Sequence, residues 1–169
     1  MTQPDTCDQV STRAKTLALV AALLGWLFDG FEMGLFPVIA RPALRELLSS
    51  STAGLDAQSA EELVGLWNSI TIAGFLVGAA AGGVLFGWLG DRIGRVRAMS
   101  LSILTYALFS GLGAFAGAPW HMVAVRFVAA LGMGGEWSLG VALVMEVWGG
   151  RSRALLAGLI GAAANLGYA

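Results

Sequence analysis

Five apolar blocks, separated by short polar or charged links, leave this chain little choice of fold. They cover about residues 16–40, 63–89, 98–118, 121–148 and 154–169. A helix needs about 20 apolar residues to cross the ~30 Å hydrocarbon layer of a bilayer, and the first four blocks meet that length. The fifth gives about 24 Å of helix at 1.5 Å per residue and falls short. Composition agrees: 57% of the 169 residues are hydrophobic and only 12% are charged, about half the charge of an ordinary soluble domain. The expected fold is therefore an all-α membrane protein with four full transmembrane helices and an incomplete fifth.

Charge in the links sets the orientation. Arg13 and Lys15 precede the first block, Arg92, Arg95 and Arg97 lie between the second and third, and Arg151 and Arg153 lie between the fourth and fifth. The opposite ends hold only Arg41 and Arg45, outweighed by Glu46, Asp56, Glu61 and Glu62. Basic residues collect on the cytoplasmic side, so the amino terminus is expected inside, with residues 1–15 as a polar cytoplasmic tail. Pro37 and Arg41-Pro42 are expected to end the first span, and Ser59 with Glu62 has the spacing of a capping box starting the next helix near Ala60. Small residues recur every fourth position in the second block (Gly74, Gly78, Gly82; Ala79, Gly83, Gly87), a spacing that lets helices meet closely in lipid. The third block has no charged residue and is expected to serve packing and lipid contact. Cys7 is the only cysteine, so no intrachain disulfide can form. The sequence offers no metal-ligand spacing, no phosphate-binding loop, no signal peptide and nothing suggesting a nucleic-acid partner.

The link 87–97 reads Gly-Trp-Leu-Gly-Asp-Arg-Ile-Gly-Arg-Val-Arg. It resembles the loop between the second and third helices of the major facilitator superfamily, with Gly87, Leu89, Gly90, Asp91, Arg92, Gly94 and Arg95 matching. Val96 departs from the pattern, with Arg97 one position on. The resemblance implies a transporter of about twelve spans in two similar halves, of which this chain would be the amino-terminal part in a cell membrane. The missing carboxy-terminal half would be required for transport. It also implies an ion pair between Arg95 and an acid at the inner end of the fourth helix, here Glu146, that locks one conformation and breaks in another. A plain interfacial carboxylate near Arg151 and Arg153 is the alternative reading of Glu146.

Ionisable groups inside a bilayer are costly and usually face a cavity where they have a use. Asp29, Glu32, Arg126 and Glu136 all fall well within apolar blocks. Helical rise puts Asp29 and Glu136 near the midplane, Glu32 about 4.5 Å further out and Arg126 about 15 Å outward of Glu136. Arg126 can then reach inward to Glu32 or snorkel outward to water. If the first and fourth spans face one aqueous cavity, Asp29 and Glu136 repel, and a proton on either would relieve that repulsion. An acid that gains and loses a proton near a movable arginine is what a proton-coupled carrier needs. Trp137, Trp26 and Asn68 could line a substrate path, or could simply pack.

Asp29-Gly-Phe-Glu32 resembles the first-helix signature of proton symporters for organic acids, including aromatic acids and sialic acid. The run from Arg126 through Gly132, Gly134, Gly135, Glu136 and Trp137 resembles the fourth helix of metabolite:proton symporters. The resemblance implies a role for Arg126 in proton coupling and for Glu136 in the central cavity. Taken together, the expected function is proton-coupled symport of a small, anionic metabolite, with the proton as coupling ion and no other cofactor. A sugar symporter, an efflux carrier, and an inert truncated fragment are the alternatives. An intramembrane enzyme would need a nucleophile–base pair; Ser138 beside Glu136 is the faint candidate, and His121 lies too far outward to serve it.

Overall fold

The computed structural model describes residues 11–148 and 152–169. The tail 1–10 with Cys7, and the links at Gly149, Gly150 and Arg151, lie outside the described residues, as do the side chains of Val147, Ser152 and Arg153. The chain forms α1 (Thr12–Leu47), a single turn α2 (Ser49–Thr52), α3 (Ala57–Ile93), α4 (Arg95–Leu112), a short 3-10 turn (Gly113–Phe115), α5 (Pro119–Val147) and α6 (Ser152–Tyr168). Four helices, α1, α3, α4 and α5, are long and apolar enough to cross a membrane, and α6 is a shorter apolar helix.

Several helix ends differ from those expected. α1 starts at Thr12, capped by Ser11, whose hydroxyl accepts from the Ala14 amide at 3.3 Å. Its outer end passes through Pro37 and Pro42 to Leu47. Prolines are tolerated in membrane helices because neighbours satisfy the freed backbone groups. Here Ala40, Leu44 and Leu48 also hold the extension in place, packed with Val64 of α3 and Met122 of α5. The cap of α3 is Asp56, not Ser59: its carboxylate accepts from the Gln58 and Ser59 amides at 3.1 Å and from the Ser59 hydroxyl at 2.7 Å. Those bonds, the Ser59 hydroxyl's foremost, hold the Asp56 carboxyl below its ordinary range. Glu62 accepts instead from the Gln58 side chain at 3.1 Å.

α5 is the axis of the bundle, and glycine decides how closely its neighbours approach. On the α3 side, a Cβ at Gly78 would lie 2.5 Å from the Phe127 carbonyl oxygen, and one at Gly134 would collide with the Ala79 backbone. On the α4 side, a Cβ at Gly132 would lie 2.6 Å from the Ser102 carbonyl oxygen, and the Ser102 hydroxyl donates to the Gly132 carbonyl. The small-residue ladder of the second span thus faces α5. A second ladder, Gly30 and Gly34 of α1, seats α6: a Cβ at Gly34 would lie 2.8 Å from the Tyr168 carbonyl oxygen.

Backbone cannot yield as a flexible side chain can, which gives a test. Gly134→Ala is expected to destabilise the chain by about 1–3 kcal/mol, the usual cost of overpacking. Gly83→Ala, whose Cβ would meet nothing closer than the Gly134 carbonyl oxygen at 3.5 Å, should be near neutral. Thermal melting in mild detergent compares the two.

Candidate functional site

The acids of α1 lie on the side that meets α5. Asp29 is fully buried, and the Trp137 indole N–H donates to its Oδ2 at 2.8 Å. Trp26, one turn earlier, brings its ring centroid to 6.0 Å from that of Trp137, with the planes at 45°. Tilted pairs at this spacing are favoured by the quadrupoles of the two rings. Glu136 is 1% exposed and lies over Gly25, where any Cβ would collide with its carboxylate. A glycine on α1 therefore makes the space that the Glu136 side chain occupies.

One turn outward, Glu32 and Arg126 form an ion pair. The Ser110 hydroxyl of α4 donates to the same Glu32 oxygen at 2.9 Å. The Arg126 guanidinium is 4.0 Å from the Phe36 ring centroid and 4.7 Å from that of Phe75, so cation–π contact holds it on two aromatic faces. Of the two destinations open to Arg126, it takes Glu32. This pair forms the floor of a cavity of about 490 Å³ between α1, α4 and α5, with Leu35, Ile39, Phe109 and Val125 on its walls.

The intramembrane charges do not share one cavity. Glu32 and Arg126 line the outer one, and Trp137 lines a separate groove beside α3. Asp29 and Glu136 line neither and are sealed between α1 and α5. Among the described residues, Asp29 Oδ1, Glu32 Oε2, Arg126 Nε and both Glu136 oxygens are buried without a hydrogen-bond partner. Three carboxylates thus lie within the bundle against a single guanidinium, which pairs with Glu32. Buried charge is tolerated only when paired, so the set is balanced only if two carboxyls carry protons or an external cation joins them. No group of His, Cys, Asp and Glu among the described residues has metal-binding geometry.

At the inner end, the link between α3 and α4 contracts to Gly94, whose φ of +93° favours glycine. Arg95 gathers the neighbouring groups: its Nε donates to Glu146 at 2.8 Å, one Nη pairs with Asp91 at 2.6 Å, and the other donates to the Gly87 carbonyl at 3.4 Å. Gly90 must be small here, because a Cβ would lie 2.5 Å from Leu139 and 3.1 Å from Arg95 Nη1. Arg92 stands apart from this cluster, its guanidinium 4.2 Å above the Trp88 ring. The structure therefore brings Gly87, Gly90, Asp91, Arg95 and Glu146 together and ties α3, α4 and α5 at one point.

Reasoning from sequence missed Ser110, Gly25 and the two phenylalanines over Arg126. Ser110 and Phe75 are scattered in apolar runs, where nothing marks which face they take. Gly25 could have been suspected, since it lies one turn before Asp29 on α1.

A family model described as Major Facilitator Superfamily matches residues 17–169. A putative metabolite transport protein of Haemophilus influenzae is 35% identical over 85% of this chain and 32% of its own length. A probable 4-methylmuconolactone transporter of Cupriavidus pinatubonensis is 36% identical over 88% of this chain and 32% of its own. A gentisate transporter of Corynebacterium glutamicum is 36% identical over 69% of this chain and 24% of its own. The chain thus spans about a third or less of the length of these curated relatives. No solved structure matches it.

Proposed function

The chain belongs to the Major Facilitator Superfamily and is a multi-pass protein of the cell membrane, and on that premise we propose that it forms the amino-terminal part of a proton-coupled symporter for small organic acids. The observation that carries this reading is the surplus of buried carboxylates: Asp29, Glu32 and Glu136 against Arg126 alone. A set of this kind changes its internal pairing when one proton arrives or leaves. Relatives named for gentisate and 4-methylmuconolactone transport support a small organic substrate. The family and these relatives are transporters, so the buried acids are binding and proton-carrying groups and not catalysts.

In the whole protein, two halves rock about a site near the midplane. Arg126, held by Glu32 and two aromatic faces, is the cation to which a substrate carboxylate is drawn. Proton uptake at Asp29 or Glu136 relieves their mutual repulsion and shifts the balance between the Glu32–Arg126 pair and the substrate. Arg95, bound to Asp91 and Glu146, fastens the inner ends of α3, α4 and α5 in one of the two conformations and releases them in the other. The coupling ion is the proton, and the scheme uses no other cofactor.

The test is uptake by the whole transporter in sealed vesicles. With one proton per substrate, an inward gradient of one pH unit supports an accumulation of about tenfold. A protonophore should collapse it to equilibrium. Accumulation that persists in the presence of the protonophore would count against proton coupling.

A further inference from the structure

From Ala98 outward α4 holds no charged residue, yet it carries a line of hydroxyls. Ser102, Tyr106 and Ser110 recur every fourth position and so share one face of the helix. The structure turns that face towards α5 and α1. The Ser102 hydroxyl donates to the Gly132 carbonyl of α5, and the Ser110 hydroxyl donates to Glu32 of α1 at 2.9 Å. Between them Tyr106 lies against Gly132, where a Cβ would come within 2.8 Å of the tyrosine's own. Its side chain packs on Phe75, Ala130 and Met133, the same cluster that seats Met33 of α1 and Trp137, the residue bonded to Asp29.

Depth gives these hydroxyls an order. Ser110 lines the outer cavity beside Glu32 and Arg126. Tyr106 lies one turn, about 6 Å, further in, and lines neither the cavity nor the groove beside α3. Its phenol is within electrostatic reach of Glu32 and Asp29 on α1 and of Glu136 and Arg126 on α5, while α3 meets the cluster with Phe75 and Ala79. Asp29 and Glu136 are sealed from both openings, so in this conformation a proton reaches them only by passing across side chains.

We propose that Ser110 and Tyr106 carry the coupling proton from the outer cavity to the sealed acids, by way of Glu32. This rests on the proton-coupled reading above and adds its route. Ser110, whose O–H is already aimed at Glu32, accepts a proton on its oxygen from water in the cavity as its own O–H bond breaks and that proton joins the carboxylate. Tyr106 then accepts the proton from Glu32 and releases its own to Asp29 or Glu136, directly or through one water. Both hydroxyls and Glu32 end as they began, and one buried acid has gained the proton.

The experiment uses the whole transporter in sealed vesicles. Tyr106→Phe removes the hydroxyl and keeps the ring that packs on Met133. Accumulation driven by an inward proton gradient should slow about 100-fold, the low end of what a positioned proton-transfer group contributes. Exchange of labelled for unlabelled substrate at equal pH, during which the proton stays bound, should keep the wild-type rate. Ser110→Ala interrupts the same route one turn further out and should also slow accumulation more than exchange, which keeps the route testable if Tyr106→Phe does not fold. Protonophore-sensitive accumulation at the wild-type rate in these variants would overturn the route and leave proton coupling intact. Equal slowing of accumulation and exchange would mean that the hydroxyls only shape helix contacts, and would overturn it too. Accumulation by the unaltered transporter that survives a protonophore would remove the route together with the reading it rests on.

Discussion

Arg126→Ala is expected to destabilise the folded chain by about 3–5 kcal/mol, the cost of removing one partner of a buried ion pair. The pair is sheltered: the side chains of Arg126 and Glu32 are 8% and 19% exposed. Without the guanidinium, Glu32 keeps only the Ser110 hydroxyl, and one of its oxygens already lacks a partner. Phe36 and Phe75 lose the cation that lies against both rings. Arg126→Lys should fall between wild type and Ala, because it keeps the charge but not the flat group that fits between those rings. The double variant Glu32→Gln with Arg126→Gln should recover most of the lost stability, since it leaves no unpaired charge, yet it should not restore transport. Equilibrium unfolding of the purified chain in mild detergent reads stability, and vesicle uptake by the whole protein reads transport. If Arg126→Ala unfolds within about 1 kcal/mol of wild type, the range of exposed pairs, then water reaches Glu32 and the pair is not a buried lock.

That pair was within reach of the sequence because depth in a membrane helix is arithmetic. A rise of 1.5 Å per residue puts Glu32 and Arg126 near one another, and a long side chain covers the rest. The cluster of Arg95, Asp91 and Glu146 came instead from likeness to a family motif. What the sequence could not show is rotation. Gly78, Gly82, Gly132 and Gly134 set how α5 lies against α3 and α4, and Gly25 and Gly140 lie where α1 meets α5, contacts between residues about thirty to more than a hundred positions apart. Ser110 was hidden for the same reason, in a span without charge. The prolines misled for a different reason: Pro37 and Pro42 are stop signals for an isolated helix, but the packing of Ala40, Leu44 and Leu48 overrides them. Ser59 and Glu62 fit a capping box, but Asp56 starts the helix one turn earlier and takes the Ser59 amide, together with that of Gln58.

Glu136→Gln is expected to abolish uphill accumulation by the whole transporter while preserving downhill exchange. Its effect on stability should be small or favourable, and that sign separates it from Arg126→Ala. A carboxylate buried without a partner is costly while charged, and glutamine of nearly the same shape removes the charge. The side chain has room only because residue 25 is glycine, so the amide fits where the carboxyl did. A group placed there for packing would tolerate the exchange silently; a group that carries the coupling proton cannot, because the amide does not titrate. Gly25→Ala is the companion variant. Its Cβ would displace the flexible end of Glu136 without deleting it, so accumulation should fall in part and not vanish. Exchange of labelled for unlabelled substrate at equal pH measures the first property, and accumulation under an inward proton gradient measures the second. If Glu136→Gln still accumulates substrate, the proton passes to Asp29, the remaining buried acid held only by an indole N–H, and Asp29→Asn becomes the variant that must uncouple.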